Sequence, residues 1–142
     1  MQWLRRAVIP AVFATSLIAC GGDNPVSVQS PETVVYAAVL GVDLSLMTRS
    51  ASGLYTRDLV TGTGAEAING KTLGVRYAGF LSDGTLFDSQ NSGTYSFPLG
   101  SNTVIAGWEQ GLVGMKVGGR RQLVIPASLG YGNARSEEHT SE

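Results

Sequence analysis

Cysteine, histidine and charged side chains are all scarce in this chain of 142 residues. A single cysteine excludes an internal disulfide, and one cysteine with one histidine gives no cluster of metal ligands. The histidine, His139, lies in a polar C-terminal tail, so a histidine-dependent catalytic triad is not expected. Charged residues are only 15% of the chain and the net charge is −1, which argues against nucleic-acid binding. We expect neither a metal nor a cofactor.

Glycine, by contrast, is abundant, and the 19 glycines punctuate runs that alternate apolar and polar residues. Residues 71–81 place Leu73, Val75 and Tyr77 on one face, which predicts a half-buried strand. The Asp83-Gly84 pair that follows is a strong hairpin signal. Strands are also predicted at residues 53–58, 86–88, 95–99 and 120–125. The polar residues 90–93 are predicted to form a loop between the second and third of these strands.

One short helix is predicted over residues 107–115. Trp108, Leu112 and Met115 fall on one face of this helix, whereas Gly111 and Gly114 each weaken it by about 1 kcal/mol relative to alanine. The helix must therefore be held by packing against a sheet. The predicted fold class is α+β, an antiparallel β-sheet wrapped on one short helix.

The N-terminus has the pattern of an export signal. Arg5 and Arg6 precede the apolar residues 7–19, which are too few to span a membrane. Cys20 follows Leu-Ile-Ala and precedes two glycines, an arrangement that resembles the bacterial lipobox. We expect a signal peptide at 1–19, lipid attachment at Cys20, and a lipid-anchored tether and lead-in segment at 20–52. An uncleaved membrane anchor and a plain secretory signal are the alternatives.

These features predict a bacterial cell-envelope protein that is bound to the membrane through its lipid. Gly21 rather than aspartate follows the cysteine. By the sorting rule of enteric-type bacteria, this favours the periplasmic face of the outer membrane. Residues 33–47 remain ambiguous, because apolar residues recur at helical spacing but Gly41 interrupts them.

Five motifs in the remaining chain occur in the order and spacing of one family. They are VRYAG at 75–79, DGTLFDS at 83–89, FPLG at 97–100, VIAGWEQG at 104–111 and PASLGYG at 126–132. Together they resemble the successive motifs of FKBP-type peptidyl-prolyl cis-trans isomerases. The resemblance covers residues 53–134, which we interpret as a partial isomerase domain.

The resemblance implies a pocket for proline built from aromatic and aliphatic side chains. Trp108 would form its floor, and the walls and rim would come from Tyr77, Phe87 and Phe97 and from Val104 and Ile105 respectively. The N–H of Ile105 and the hydroxyl of Tyr131 would each bind a substrate carbonyl. Asp88 would lie at the pocket edge. The predicted site residues are Tyr77, Phe87, Asp88, Tyr95, Phe97, Val104, Ile105, Trp108 and Tyr131. The simpler alternatives are that the tryptophan and phenylalanines are core residues, the aspartate a strand-end acid and Tyr131 a loop anchor.

The implied function is prolyl isomerisation in the folding of envelope or secreted proteins. The partners would be proline-containing unfolded or flexible polypeptides, with macrolide inhibitors as further ligands. The alternative is a non-catalytic module that binds proline-containing segments or acts as a chaperone.

The C-terminus departs from the family pattern. Family members continue past the Tyr-Gly motif to a central strand that is absent here. Residues 135–142 are similar to the translation of a common sequencing adapter, the alternative being a genuine charged tail. We interpret them as artefactual. Losing a central strand would leave several buried groups unpaired at about 1–3 kcal/mol each, against a total stability of about 5–15 kcal/mol. We therefore expect the chain as written to be unstable and inactive, unlike its full-length parent.

Overall fold

The computed structural model describes residues 29–132. The predicted signal peptide, Cys20 and the adapter-like tail lie outside the described residues. Five strands and one α-helix follow three short 3₁₀ turns at Pro31–Thr33, Ala38–Leu40 and Leu44–Leu46. They are β1 (Thr48–Arg49), β2 (Tyr55–Val60), β3 (Thr72–Phe80), β4 (Leu86–Pro98), α1 (Ala106–Gly111) and β5 (Arg120–Val124), and a last 3₁₀ turn spans Ala127–Leu129. No helix within residues 29–132 has the length and apolar character of a membrane span.

The strands form two antiparallel sheets, with the order β1-β2-β5 in one and β3-β4 in the other. This architecture of antiparallel strands with one short α-helix confirms the predicted fold class. The division into two sheets differs from the single sheet that we predicted. Within the described part of the chain, β3 and β5 each pair along one edge only. That the domain needs the further central strand of the family for its stability remains a prediction.

The β3-β4 hairpin follows the predicted pattern at its first strand and its turn. Alternate β3 residues are half-buried, and Gly84 has the positive φ of 91° that a tight turn requires. The return side differs from the prediction, because residues 86–88 and 95–98 belong to one long strand rather than two pieces. Val75 faces Tyr95 whereas Tyr77 faces Gln90, so residues 91–94 bulge out of the ladder. The predicted loop is therefore an interruption within β4.

The helix is shorter than predicted and ends at Gly111. Leu112 closes it with an N–H that donates to the Trp108 carbonyl, and Gly114 then turns the chain at a φ of 77°. Leu112 still packs on the predicted face, in a core with Phe97 and Leu99. Trp108 and Met115 pack against this core from the sides.

The two glycines of the helix, Gly107 and Gly111, lie against β5 and Ile125, the residue that follows β5. A Cβ on Gly107 would stand 2.5 Å from Ile125 Cγ2, and one on Gly111 would stand 2.8 Å from Leu123 Cδ2. Gly111, which weakens the isolated helix, and Gly107 therefore allow it to approach the sheet closely. Packing thus supplies the stability that helix propensity does not.

The ambiguous lead-in segment packs against the domain, and we name residues 31–47 the strap. It consists of short 3₁₀ turns rather than a continuous helix. Glu32 accepts hydrogen bonds from the Tyr55 hydroxyl at 2.6 Å and from Arg49 Nε at 2.9 Å. The Tyr55 hydrogen bond is the main reason that the pKa of Glu32 falls to about 2, with the Arg49 bond adding to it. The carboxylate therefore stays charged, and the start of the strap stays joined to β1 and β2, at neutral pH.

Candidate functional site

A pocket of about 450 Å³ opens where the β3-β4 hairpin, the start of α1 and the end of the described chain meet. The hairpin supplies one wall, and the residues that lead into α1 supply the opposite rim. Nine residues line the pocket: Tyr77, Phe87, Asp88, Tyr95, Thr103, Val104, Ile105, Trp108 and Tyr131. Eight of the nine residues predicted from the sequence are therefore brought together.

Trp108 lies at the centre of an aromatic cluster. Its ring contacts Tyr77 edge-on at a centroid distance of 4.8 Å, and Tyr95 lies 6.2 Å away. Such edge-to-face arrangements are favourable for aromatic rings and limit their rotation. The half-buried indole exposes part of its surface to the pocket, as a floor would.

Phe97 occupies a different place from the wall position that we predicted. It is only 2% exposed and does not line the pocket. Its ring packs 5.8 Å from Trp108 and 5.9 Å from Tyr95. Phe97 therefore supports the floor from beneath, because its alternation on β4 points it into the core beside Leu73.

A bulge in β4 directs Phe87 and Asp88 into the pocket together. Gly79 pairs with Asp88 and Phe80 pairs with Leu86, which leaves Phe87 as the extra residue. The Phe87 ring lies over Gly79, where an added Cβ would stand 2.8 Å from Cζ. The ring also meets Tyr131 edge-on at 6.5 Å, closing the pocket between the hairpin and the C-terminal segment.

Asp88 and Tyr77 form the polar contact of the pocket wall. The Tyr77 hydroxyl donates to Asp88 Oδ2 at 2.8 Å. This hydrogen bond, followed by desolvation and the carboxylate charge, raises the pKa of Tyr77 above its ordinary value. The phenol therefore stays protonated at physiological pH, and it orients the carboxylate.

The rim residues are held by a loop that folds back onto the helix. Glu109 Oε2 accepts a hydrogen bond of 2.6 Å from the Gly100 N–H. Ser101 Oγ donates to the Pro98 carbonyl at 2.6 Å and lies 3.0 Å from Thr103 Oγ1. Sequence reasoning missed Thr103, although its position directly before the predicted rim residues Val104 and Ile105 was a usable signal.

The start of α1 places Ile105 at the rim in an extended conformation, with φ −58° and ψ 147°. Its carbonyl accepts hydrogen bonds from the N–H groups of Trp108 at 2.9 Å and Glu109 at 3.2 Å. These bonds fix the peptide plane that precedes the helix. The role of the Ile105 N–H in binding a substrate carbonyl remains a prediction.

The chemistry that this pocket can perform is limited by its lining. No serine, cysteine, lysine or histidine is among the lining residues, and the Thr103 hydroxyl lies 3.0 Å from that of Ser101 rather than beside a base. Elsewhere in residues 29–132, no three acidic, cysteine or histidine side chains gather in a way that could hold a metal. An aromatic hollow with one carboxylate can enclose, orient and desolvate a ligand.

The fold and the pocket thus define an α+β domain that binds an apolar ligand group in an aromatic hollow. A profile of the FKBP-type peptidyl-prolyl cis-trans isomerases matches residues 64–141. The chain belongs to this family, whose members catalyse cis-trans isomerisation of peptidyl-prolyl bonds.

Relatives in fungi and bacteria support the assignment. FK506-binding protein 4 of Rhizopus delemar is 47% identical over 87 residues, which is 61% of this chain and 23% of the fungal protein. The FK506-binding protein of Neisseria meningitidis is 46% identical over 82 residues, which is 56% of this chain and 75% of that protein. This chain thus spans less than a quarter of the length of the fungal relative.

The structure is similar to a peptidyl-prolyl cis-trans isomerase from Pseudomonas syringae pv. tomato. The TM-score is 0.57 at 33% sequence identity, and the match covers 67% of this chain and 68% of the other. The pocket-lining residues, which lie between positions 77 and 131, all fall within the segment that the family profile matches.

Proposed function

We propose that this domain catalyses cis-trans isomerisation of X-Pro bonds in unfolded or flexible polypeptides. The observation that carries the proposal is the pocket itself, in which aromatic rings from three parts of the chain surround a space lined by no serine, cysteine, lysine or histidine. Proline presents a compact apolar ring to such a space. The reaction that it undergoes needs no bond to be broken.

The barrier to this reaction comes from amide resonance. Rotation about the C–N bond costs about 18–20 kcal/mol because the planar amide has partial double-bond character. The twisted amide loses this resonance and carries less charge on its carbonyl oxygen. Water stabilises the planar, more polar form better than the twisted form. A site that removes water from the amide therefore lowers the barrier to rotation.

Six of the nine lining residues have a proposed role in this mechanism. Trp108 supports the proline ring, with Tyr77 and Phe87 on either side of it. The Ile105 N–H and the Tyr131 hydroxyl bind carbonyls of the substrate and hold the chain on both sides of the rotating bond. Asp88, held by Tyr77, shapes the electrostatic environment of the substrate carbonyl.

The names of the fungal and bacterial relatives include FK506. We propose by similarity that macrolides of this kind also bind the pocket. Such a ligand would compete with prolyl peptides, because the same aromatic surface would contact both.

A protease-coupled assay on an Ala-Leu-Pro-Phe peptide tests the function. We expect the folded domain to accelerate cis-to-trans conversion in proportion to the concentration of folded protein. Peptide binding without acceleration would instead support the alternative, a non-catalytic module that binds proline-containing segments or acts as a chaperone. Neither binding nor acceleration by a folded protein would contradict both functions.

We further propose that the protein is a bacterial lipoprotein of the cell envelope, anchored through Cys20. The proposal is supported by the arginines, the apolar run of residues 7–19 and the lipobox-like sequence around the only cysteine. A diacylglyceryl group with an added acyl chain exceeds the two chains that already give stable anchoring.

The lipid anchor is tested by expressing Cys20→Ser in a Gram-negative host. We expect the wild-type protein in the membrane fraction and this variant no longer anchored there through lipid. Labelling with radioactive palmitate should mark the wild type but not Cys20→Ser. Ser27→Ala, a change in the tether, is the control and should behave as the wild type does. Equal labelling of Cys20→Ser and the wild type would overturn the proposal.

A further inference from the structure

The strap joins two parts of the protein that share no strand pairing in the described chain. One end lies against the sheet of β1, β2 and β5, and the middle lies against the turn of the β3-β4 hairpin. Its contacts are specific hydrogen bonds and close packing, so it acts as a tie between these two elements.

At the hairpin, the strap holds the turn by backbone and side-chain contacts. The Ala37 N–H donates to the Ser82 carbonyl at 2.8 Å. The side chains of Ala37 and Val39 both lie 3.2 Å from the point where a Cβ on Gly84 would stand. A glycine at this turn position thus provides both the positive φ and the space that the strap occupies.

At the sheet, the strap is joined to β5 and β2. Gln122 Nε2 donates to the Leu40 carbonyl at 2.9 Å, only three residues along the chain from Ala37. Glu32 is joined to Tyr55 and Arg49 by the hydrogen bonds described above. A stretch from Ala37 to Leu40 therefore bonds to the hairpin at one end and to β5 at the other.

The same two elements carry opposite sides of the pocket mouth. The turn at 81–85 leads into Phe87 and Asp88, and β5 leads through one 3₁₀ turn to Tyr131. Phe87 and Tyr131 meet edge-on at 6.5 Å, where the mouth is narrowed. A tie between the turn and β5 restrains the distance between these side chains.

We propose that the strap fixes the width of the pocket mouth, with Ala37 and Gln122 as positioning residues for prolyl substrates. This inference rests on the proposed function of the pocket. Releasing the strap widens the range of positions open to the Phe87 wall, which weakens peptide binding. Because rotation about the amide depends on the floor at Trp108, kcat changes much less than KM.

Two proline substitutions in adjacent residues test the proposal. Ala37 has a φ of −59°, which proline adopts, so Ala37→Pro removes the N–H that bonds to Ser82 without changing the local angle. Ala38→Pro is the matched control. It places proline at the first position of a 3₁₀ turn, where the N–H needs no partner. The preceding residue, Ala37, has a ψ of 135°, which suits a residue before proline.

For Ala37→Pro we expect KM for a prolyl peptide to rise about three- to tenfold, the effect of one lost hydrogen bond, with kcat nearly unchanged. Ala38→Pro should match the wild type. Gln122→Met, which removes the donor to Leu40 at similar volume, should reproduce the rise in KM from the other end of the strap. An unchanged KM in both folded Ala37→Pro and folded Gln122→Met would overturn the proposal, as would equal effects of Ala37→Pro and Ala38→Pro.

Calorimetric binding of the same peptide separates this proposal from the proposed function. If the wild type binds the peptide without accelerating isomerisation, the proposed catalysis fails while the strap still predicts a higher Kd for Ala37→Pro. If a substitution lowers the folded fraction seen by circular dichroism and leaves Kd per folded molecule unchanged, the strap is merely structural and the proposal fails.

Discussion

Phe87→Ala is expected to lower kcat/KM for prolyl isomerisation by about 10- to 100-fold. The phenyl ring forms one wall of the pocket and closes its mouth against Tyr131. Enclosing an apolar group of this size contributes about 1.5–3 kcal/mol, and each 1.36 kcal/mol of lost transition-state stabilisation is a factor of ten in rate. The protease-coupled assay with the Ala-Leu-Pro-Phe peptide measures the change.

Leu86→Ala provides the matched control for this substitution. Leu86 is the preceding residue, is 51% exposed and pairs with Phe80, whereas the bulge places Phe87 over Gly79. Because Phe87 is itself 44% exposed, its removal should leave the melting temperature nearly unchanged. Equal activity of Phe87→Ala and Leu86→Ala would show that the Phe87 ring is not part of the active site.

Gly62→Ala is expected to destabilise the domain by about 3 kcal/mol, the upper range for overpacking, and to lower Tm by roughly 12–24 °C. Gly62 is buried, and an added Cβ would stand 2.3 Å from the Lys116 carbonyl oxygen and 2.5 Å from that of Val117. Both contacts are with backbone, so no side-chain rotation can relieve them. Differential scanning calorimetry gives the shift in Tm.

Gly74→Ala is the control for the effect of replacing a glycine. Its added Cβ would meet Thr94 Oγ1 at 3.5 Å, an ordinary contact, on the exposed face of β3. We expect its Tm to stay close to that of the wild type. If both alanine variants melted at the same temperature as the wild type, this result would contradict the close packing of residue 62 against the turn at 116–119.

The hairpin and most of the pocket could be predicted from the sequence because their signals are local. Alternation through Leu73, Val75 and Tyr77 identified β3, and Asp83-Gly84 identified its turn. The motifs that resemble the family then indicated which residues would surround Trp108. These signals need no knowledge of how distant segments pair.

The sequence-based predictions differed from the structure where tertiary packing decides the length of an element or the place of a side chain. The bulges in β4 join the two predicted strand pieces into one, and they depend on pairing with β3 rather than on local sequence. Phe97 was assigned to the pocket wall, yet its place under Trp108 follows from the strand register. Helix α1 ends early because the chain turns at Gly114, which periodicity alone does not show.

The strap and the crowding at Gly62 gave no usable signal in the sequence. Residues 33–47 had mixed helical and extended features, and only their contacts with Ser82 and Gln122 explain their conformation. In the sequence, Gly62-Thr63-Gly64 is typical of an ordinary turn. The role of Gly62 comes from backbone more than fifty positions further along the chain.

In the proposed mechanism, an aromatic pocket accelerates rotation of a prolyl amide by removing water, without transferring a proton. Magnetisation-exchange NMR of the Ala-Leu-Pro-Phe peptide, with and without the protein, measures the interconversion rate directly in H₂O and in D₂O. We expect acceleration by the wild type that is equal in the two solvents. Acceleration that falls severalfold in D₂O, or a folded protein that gives none in either solvent, would contradict this mechanism.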